Sequence, residues 1–180
     1  MIGMFSAIPY YIYEVNNWQE KKQRFSEYLI NCKYERLELN GLGDFETDRN
    51  NKRNYIDPFL LIFQEELQQF GKDINVSEFT VKDIWSVQYK KHDHHPAHTH
   101  GRSNMSGILY FDYDDQEHSP THFITNNTNP FSNMTDIISP IVKEGTFFMF
   151  PANVLHFTLP NKSEKIRKVI SFDITISGGQ

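Results

Sequence analysis

From about Glu78 to the end, the chain is a succession of short apolar or alternating runs separated by clusters of Gly, Pro, Asn and Asp. The runs are VKDIWSVQY, SGILYFDY, THFIT, DIISPIV, GTFFMF, VLHFTL and KVISFDITI. Runs of this length with turn residues between them predict about seven β-strands. The pattern favours a mostly β fold, a compact sandwich or barrel of the jelly-roll type.

The first 77 residues follow a different pattern. Residues 5–15 are rich in Tyr, Ile and Phe and predict a strand. Asn17 opens an amphipathic helix over 17–33, and Asp57-Pro58 opens a second helix that Gly71 ends. We expect a single domain, 1–180, in which residues 1–77 pack two helices on one sheet and residues 78–180 form the β core.

Two other segments are predicted to be loops. Residues 38–55 are rich in Gly, Asn and charged side chains, and residues 126–133, NNTNPFSN, are turn-forming. Loops often carry binding residues, so we expect loops such as 38–55 and 114–134 to determine the primary substrate.

Composition excludes several classes of protein. The net charge of −5 gives no electrostatic reason to expect nucleic acid or an anionic membrane as a partner. A single cysteine, Cys32, excludes an intrachain disulfide and a cysteine-based zinc site. The N-terminus has no basic region typical of a signal peptide, and no run approaches the ~20 apolar residues that span a bilayer. We therefore expect a cytoplasmic protein.

The histidines define a candidate site. All eight lie in the second half of the chain, and residues i and i+2 of a strand share a face, so His98 and His100 can direct two imidazoles at one point. Two ligands hold a metal weakly, and His156, on the polar face of a strand, is the candidate third. The hypothesis is a mononuclear metal site, with His92, His94 and His95 in a loop or around the ligands. The competing interpretation is a polar cluster that binds metal adventitiously.

These segments resemble known families. Gly145-x₅-Pro151-x₄-His156 resembles the second metal motif of cupin-type double-stranded β-helix proteins. The ordered set IWSVQY, HPAHTH, SGILY, GTFFMFPANVLH and RKVISFD resembles, more specifically, the Fe(II)- and 2-oxoglutarate-dependent oxygenases with a His-x-His first motif. The resemblance covers about Trp85 to Ile174. It implies a double-stranded β-helix, Fe(II) as the metal and 2-oxoglutarate as co-substrate, consumed together with O₂.

The resemblance also implies residue roles. His98, His100 and His156 would be the ligands, with His100 where most relatives have Asp. Holding the C5 carboxylate of 2-oxoglutarate requires a cation, and the resemblance assigns that role to Arg167. Ser171 shares its strand face, although the common arrangement has Ser or Thr where Val169 stands. Further candidates are Tyr110 and Asn104 for contacts to the co-substrate, and Trp85 and Gln88 for lining the pocket.

The implied activity is hydroxylation of a substrate C–H bond coupled to decarboxylation of 2-oxoglutarate to succinate. Because all-histidine iron sites are also typical of cupin dioxygenases that use no 2-oxoglutarate, such an enzyme is the second hypothesis, favoured if Arg167 points to solvent. A non-catalytic jelly-roll binding module is the third. The primary substrate is open: an amino acid, a peptidyl residue or a small metabolite.

Overall fold

The computed structural model describes residues 9–39, 43–101, 103–129 and 134–177. These residues form three helices and eleven strands. In chain order the elements are β1 (Tyr11–Glu14), α1 (Trp18–Leu29), β2 (Glu35–Glu38), β3 (Asp44–Thr47), α2 (Ile56–Ile62), α3 (Gln64–Asp73), β4 (Phe79–Tyr89), β5 (His95–His98), β6 (Met105–Asp112), β7 (Thr121–Asn129), β8 (Met134–Ile138), β9 (Thr146–Pro151), β10 (Leu155–Thr158) and β11 (Arg167–Ile176).

The strands form two antiparallel sheets. The larger sheet has the order β1-β9-β6-β11-β4-β3-β2, and the smaller has the order β5-β10-β7-β8. β11 lies at the centre of the larger sheet, paired with β4 on one side and β6 on the other. The prediction of a mostly β jelly roll with helices on one sheet is confirmed.

Alternation along the strands separates two apolar cores. Along β11, Ile170, Phe172 and Ile174 belong to the core beneath the helices. Val169, on the opposite face, belongs to the core that also holds Phe123 of the smaller sheet. Side chains at Val169, Ser171 and Asp173 therefore face the space between the sheets, because residues i and i+2 share a face.

The helices differ in detail from the prediction. α1 has Asn17 as its N-cap, as predicted, but Asn17 has a φ of 53° and its side chain makes no capping hydrogen bond. The predicted second helix is in fact two, α2 and α3, which meet at Phe63. Asp57 is wrong as the cap, since Tyr55 holds that position and the helix begins at Ile56.

Gly71 is also wrong as the helix stop. It is buried inside α3, which continues to Asp73. A Cβ at this position would lie 3.0 Å from the Phe79 ring. The glycine therefore allows close packing against Phe79 and does not mark the end of the helix.

Both predicted loops contain strands. Residues 38–55 include β3, which pairs with β2 and places Leu37 opposite Phe45. Of the predicted turn 126–133, residues 126–129 continue β7, where Thr128 pairs with Thr135 of β8, and residues 130–133 lie outside the described residues. In both places strand pairing outweighs the turn preference of Asn and Gly. The predicted first strand is confirmed over Tyr11–Glu14, and residues 1–8 lie outside the described part of the chain.

Candidate metal centre

Three histidines meet in the space between the two sheets. His98 on β5 pairs in register with His156 on β10. His100 lies just beyond β5, held by a hydrogen bond from its backbone N–H to the carbonyl of Ala152. One nitrogen of each ring lies within 4.8 Å of the others, a spacing at which all three could bind one ion. The structure thus brings together the three histidines that the sequence singled out.

Each ring has its Nδ1 atom fixed by an acceptor. The His98 Nδ1 lies 2.9 Å from the Pro96 carbonyl, and the His156 Nδ1 lies 2.9 Å from the Val154 carbonyl. The His100 Nδ1 lies 2.7 Å from Oδ1 of Asp173. Carbonyl and carboxylate oxygens only accept, so Nδ1 carries a proton in all three rings, and a neutral ring with its proton there has a free lone pair at Nε2.

Two of these lone pairs face each other. The Nε2 atoms of His98 and His100 are 3.3 Å apart. With both protons on Nδ1, no hydrogen bond can join these atoms, and their lone pairs repel unless a cation lies between them. This contact is the structural feature that fits a metal ion most directly.

The surroundings favour the neutral state of His98 and His156, in which an imidazole binds a metal. Burial, reinforced by the repulsion that a protonated His98 would exert, lowers the pKa of His156 to about 3. Burial likewise lowers the pKa of His98. The Trp85 ring stacks on His100 with ring centres 5.6 Å apart and covers one face of the site.

A cavity of about 240 Å³ adjoins the histidines. Its floor comes from the larger sheet, including Trp85, Val169 and Ser171, and its other wall from Thr121 and Thr158 of the smaller sheet. Leu37 and Phe45 of the β2–β3 hairpin also line it, and Phe45 lies in the segment 38–55 that was predicted to be a loop. The enclosed space is of the kind that holds a small ligand beside a metal.

Arg167 lies buried beyond the cavity wall, with only 3% of its surface exposed. Its Nη2 donates a hydrogen bond of 2.9 Å to Oγ1 of Thr121, and its guanidinium lies 4.8 Å from the Tyr89 ring centre. Nε and Nη1 are buried without a hydrogen-bond partner, and no carboxylate pairs with this residue among the described side chains. A buried cation with two free donors fits a carboxylate ligand such as the distal end of 2-oxoglutarate.

The other predicted residues have different positions. Ser171 and Trp85 line the cavity, whereas Gln88 does not. Tyr110 is fully buried, accepts a hydrogen bond from the Thr121 backbone N–H and lies behind the Arg167 guanidinium. The Asn104 side chain accepts from the Ile176 backbone N–H at the end of β11, away from the cavity lining.

The three remaining histidines of the cluster, His92, His94 and His95, lie in different environments. His92 is exposed, with a φ of 72°, and His94 forms a bridge with Asp44 of β3. His95 lines the cavity, stacked between Phe45 at 4.0 Å and His98 at 3.9 Å between ring centres. Its position supports the interpretation of His95 as a residue around the ligands rather than part of an exposed loop.

Sequence reasoning missed several residues of the site. Thr121 supplies the hydroxyl next to Arg167 that the sequence pattern lacks at Val169. Thr121 is the first residue of β7 and belongs to no recognisable motif, so only its contact with Arg167 in the structure reveals it. Asp173 was detectable in principle, because it shares a strand face with Arg167 and Ser171.

The Asp173 carboxylate is ionised within this environment. Burial raises its pKa, but the hydrogen bonds from His100 and Ser106 and the nearby charge of Arg49 outweigh burial and hold the pKa below its usual value. The Ser106 Oγ donates at 2.8 Å to the same Oδ1 atom that accepts from His100.

The sequence profile of the family described as "putative 2OG-Fe(II) oxygenase" matches residues 83–173, half of the chain. The chain belongs to this family. The resemblance identified from the motifs is therefore confirmed. The family's name states both Fe(II) and 2-oxoglutarate, so the predicted cofactor and co-substrate are confirmed as well.

Solved structures of other oxygenases share the fold. A Pseudomonas putida prolyl-4-hydroxylase is 10% identical, with a TM-score of 0.65 and 94% of each chain covered. A 2OG-Fe(II) oxygenase family oxidoreductase from Burkholderia pseudomallei is 11% identical, with a TM-score of 0.68, covering 93% of this chain and 86% of its own. The epimerase SnoN, solved with Fe³⁺, alpha ketoglutarate and nogalamycin RO, is 11% identical, with a TM-score of 0.69. The match covers 94% of this chain and 79% of the SnoN chain.

At these identities the likeness concerns the fold alone. No curated protein matches the sequence. Within the residues that the structure describes, no helix is long and apolar enough to cross a membrane.

Proposed function

We propose that this oxygenase is a hydroxylase that binds Fe(II) through His98, His100 and His156 and anchors the C5 carboxylate of 2-oxoglutarate on Arg167. The observation that carries the proposal is the presence of two sets of unsatisfied groups. The three histidines line the cavity, and Arg167 is buried next to Thr121 and Tyr89, which line the same cavity. Three converging imidazole nitrogens require a cation, and two buried guanidinium donors require an anion. Iron and 2-oxoglutarate supply both.

Iron, when bound, supplies the oxidative decarboxylation of 2-oxoglutarate by O₂ to succinate and CO₂, coupled to oxidation of a substrate C–H bond. The side chains of the chain bind and orient the reactants. Arg167 would hold the distal carboxylate through Nε and Nη1, and Thr121 fixes the guanidinium plane through Nη2. The Trp85 ring covers His100 and the Tyr89 ring lies beside the Arg167 guanidinium, so an aromatic ring adjoins each end of the site.

Hydroxylation is proposed because it requires only that one substrate C–H bond lie beside the metal. Oxygenases with this fold include a prolyl-4-hydroxylase and an epimerase, so the fold does not fix the outcome. The primary substrate remains an amino acid, a peptidyl residue or a small metabolite. A cytoplasmic location, the division at residue 77 and the roles of Ser171, Tyr110 and Asn104 toward the co-substrate stay predictions.

The burial of Arg167 favours this function over a three-histidine dioxygenase that does not use 2-oxoglutarate. Such an enzyme has no need for a buried cation with free donors, and solvent exposure of Arg167 would have favoured it. Measurable turnover of 2-oxoglutarate would distinguish an enzyme from the third hypothesis, a non-catalytic binding module.

The test is formation of succinate from 2-oxoglutarate by purified protein with Fe(II) and O₂. We expect slow uncoupled turnover that requires both iron and oxygen and that is lost in His156→Ala. Addition of a true substrate should increase the rate and give a product heavier by one oxygen atom in mass spectrometry. Bound iron without any succinate would contradict the proposal and favour the other two hypotheses.

A further inference from the structure

Asp173 differs from the other acceptors around the metal centre because it is charged. The Nδ1 atoms of His98 and His156 donate to neutral backbone carbonyls. Only His100, among the three, donates to a carboxylate, at 2.7 Å. Three neutral imidazoles bring no negative charge to a divalent cation, so this carboxylate is the nearest source of charge within the hydrogen-bonded set.

The position of Asp173 is strongly constrained. It is 6% exposed, and its Oδ1 accepts from both His100 and Ser106. Its strand, β11, is central in the larger sheet, flanked by β4 and β6, so the backbone at Asp173 has little freedom to move. Its other oxygen lies 3.5 Å from the Arg49 guanidinium, which is half-exposed and therefore screened by water.

We infer that Asp173 is a positioning residue that acts through His100: it fixes the ring plane and tautomer and supplies, along the hydrogen bond, negative charge that the three ligands lack. A carboxylate that accepts the Nδ1 proton of an imidazole increases the electron density at Nε2, which binds the metal more strongly. The inference rests on the proposed function, since it assumes that His100 is a metal ligand.

The variant Asp173→Asn separates charge from shape. Asparagine retains a carbonyl oxygen for the His100 Nδ1–H but carries no charge. We expect the Kd for Fe(II) to rise by roughly 10–100-fold, the range typical for loss of a partner behind a metal ligand. We also expect the charge-transfer band of 2-oxoglutarate on iron to move to shorter wavelength, because a weaker donor lowers the energy of the iron electrons.

Asp83→Asn is the matched control. Asp83 pairs in register with Asp173 across β4 and β11 and lies 3.5 Å from the same Arg49, but it contacts none of the three histidines. We expect its Fe(II) affinity and its band position to equal those of the wild type. Equal losses in both variants would mean that any lost carboxylate near Arg49 weakens the site, which would overturn the inference.

The decisive measurement repeats Asp173→Asn in a His100→Asp background, with Fe(II) affinity determined by anaerobic calorimetry. There the carboxylate binds the metal directly, so the loss caused by Asp173→Asn should disappear or reverse. A loss of the same size in both backgrounds would assign Asp173 a merely structural role. Failure of the wild type to bind Fe(II) would instead overturn the proposed metal site itself, and the two failures are thus distinguishable.

Discussion

Replacing Arg167 with methionine removes the guanidinium and keeps a long side chain of similar reach in a site that is only 3% exposed. The change deletes two donors, Nε and Nη1, that have no hydrogen-bond partner among the described residues. Each charge-assisted hydrogen bond contributes about 1.5–3 kcal/mol, so loss of both should weaken 2-oxoglutarate binding by about 3–6 kcal/mol. At about 1.4 kcal/mol per tenfold, the Kd should rise on the order of 10²–10⁴-fold.

The same variant should not be less stable without the co-substrate. A buried cation without a carboxylate partner costs free energy, and methionine removes that cost while it retains the packing against Tyr89. The hydroxyl of Thr121 loses its partner, which offsets part of the gain. We therefore expect opposite effects of one substitution: a large loss of ligand affinity and unchanged or higher stability of the free protein.

Thermal unfolding without oxygen measures both effects. At 100 times its Kd, 2-oxoglutarate should stabilise the iron-loaded wild type by about 2.7 kcal/mol. For a domain of this size that gain corresponds to a rise in Tm of roughly 5–11 °C. Arg167→Met should show no such rise while the rise caused by Fe(II) alone persists, and Arg167→Lys, which keeps the charge but loses the planar fork, should fall between them. A wild-type shift in Arg167→Met would refute this role for Arg167.

Two further predictions concern stability. Gly107→Ala should lower the free energy of unfolding by about 3 kcal/mol, since the new Cβ would lie 1.9 Å from the buried Phe172 ring. Gly101→Ala is the control, because a Cβ there would meet no described atom within 4 Å. Equal Tm values for the two variants would contradict the packing argument. The metal-free protein should lose stability as the pH falls below about 6.5. Burial, aided by neighbouring histidines, lowers the pKa of His95 to about 2 and that of His156 to about 3. The unfolded chain binds these two protons at ordinary pKa values, so acid favours the unfolded state. Between about pH 7 and pH 5, the free energy of unfolding measured with denaturant should fall by up to roughly 1.4 kcal/mol per pH unit for each of these imidazoles. In His95→Phe the slope should be smaller by the contribution of one imidazole. A stability that does not change with pH would exclude buried neutral rings.

The strands were predictable from sequence to the extent that periodicity determines them. β6, β9, β10 and β11 follow from short apolar runs bounded by Gly and Pro. The β2–β3 hairpin was missed because its residues are mostly charged, and its stability depends on pairing with β4 across a long separation in sequence. The break at Phe63 was equally hidden, since apolar spacing continues across it and Phe63 itself is buried in the core beneath the helices.

The site could be predicted where spacing along one strand reports a shared face. His98 and His100, two residues apart, were found in this way, although β5 ends at His98 and His100 lies just beyond it. His156 was found from its position on an otherwise apolar strand. Tyr89 and Thr121 could not be found. Tyr89 lies beside Arg167 through the register of β4 against β11, and Thr121 through the packing of the smaller sheet on the larger. Register is fixed by packing, which a single sequence does not display.

Fe(II) and 2-oxoglutarate are proposed to bind together between the two sheets, the metal on His98, His100 and His156 and the co-substrate on Arg167. The most direct test is titration of 2-oxoglutarate into the Fe(II)-loaded protein without oxygen, followed by visible absorption. A weak metal-to-ligand charge-transfer band that grows and saturates at one equivalent would establish a chelated 2-oxoacid, and Arg167→Met should require far more ligand to reach it. Absence of the band, with iron shown to be bound, would contradict the account.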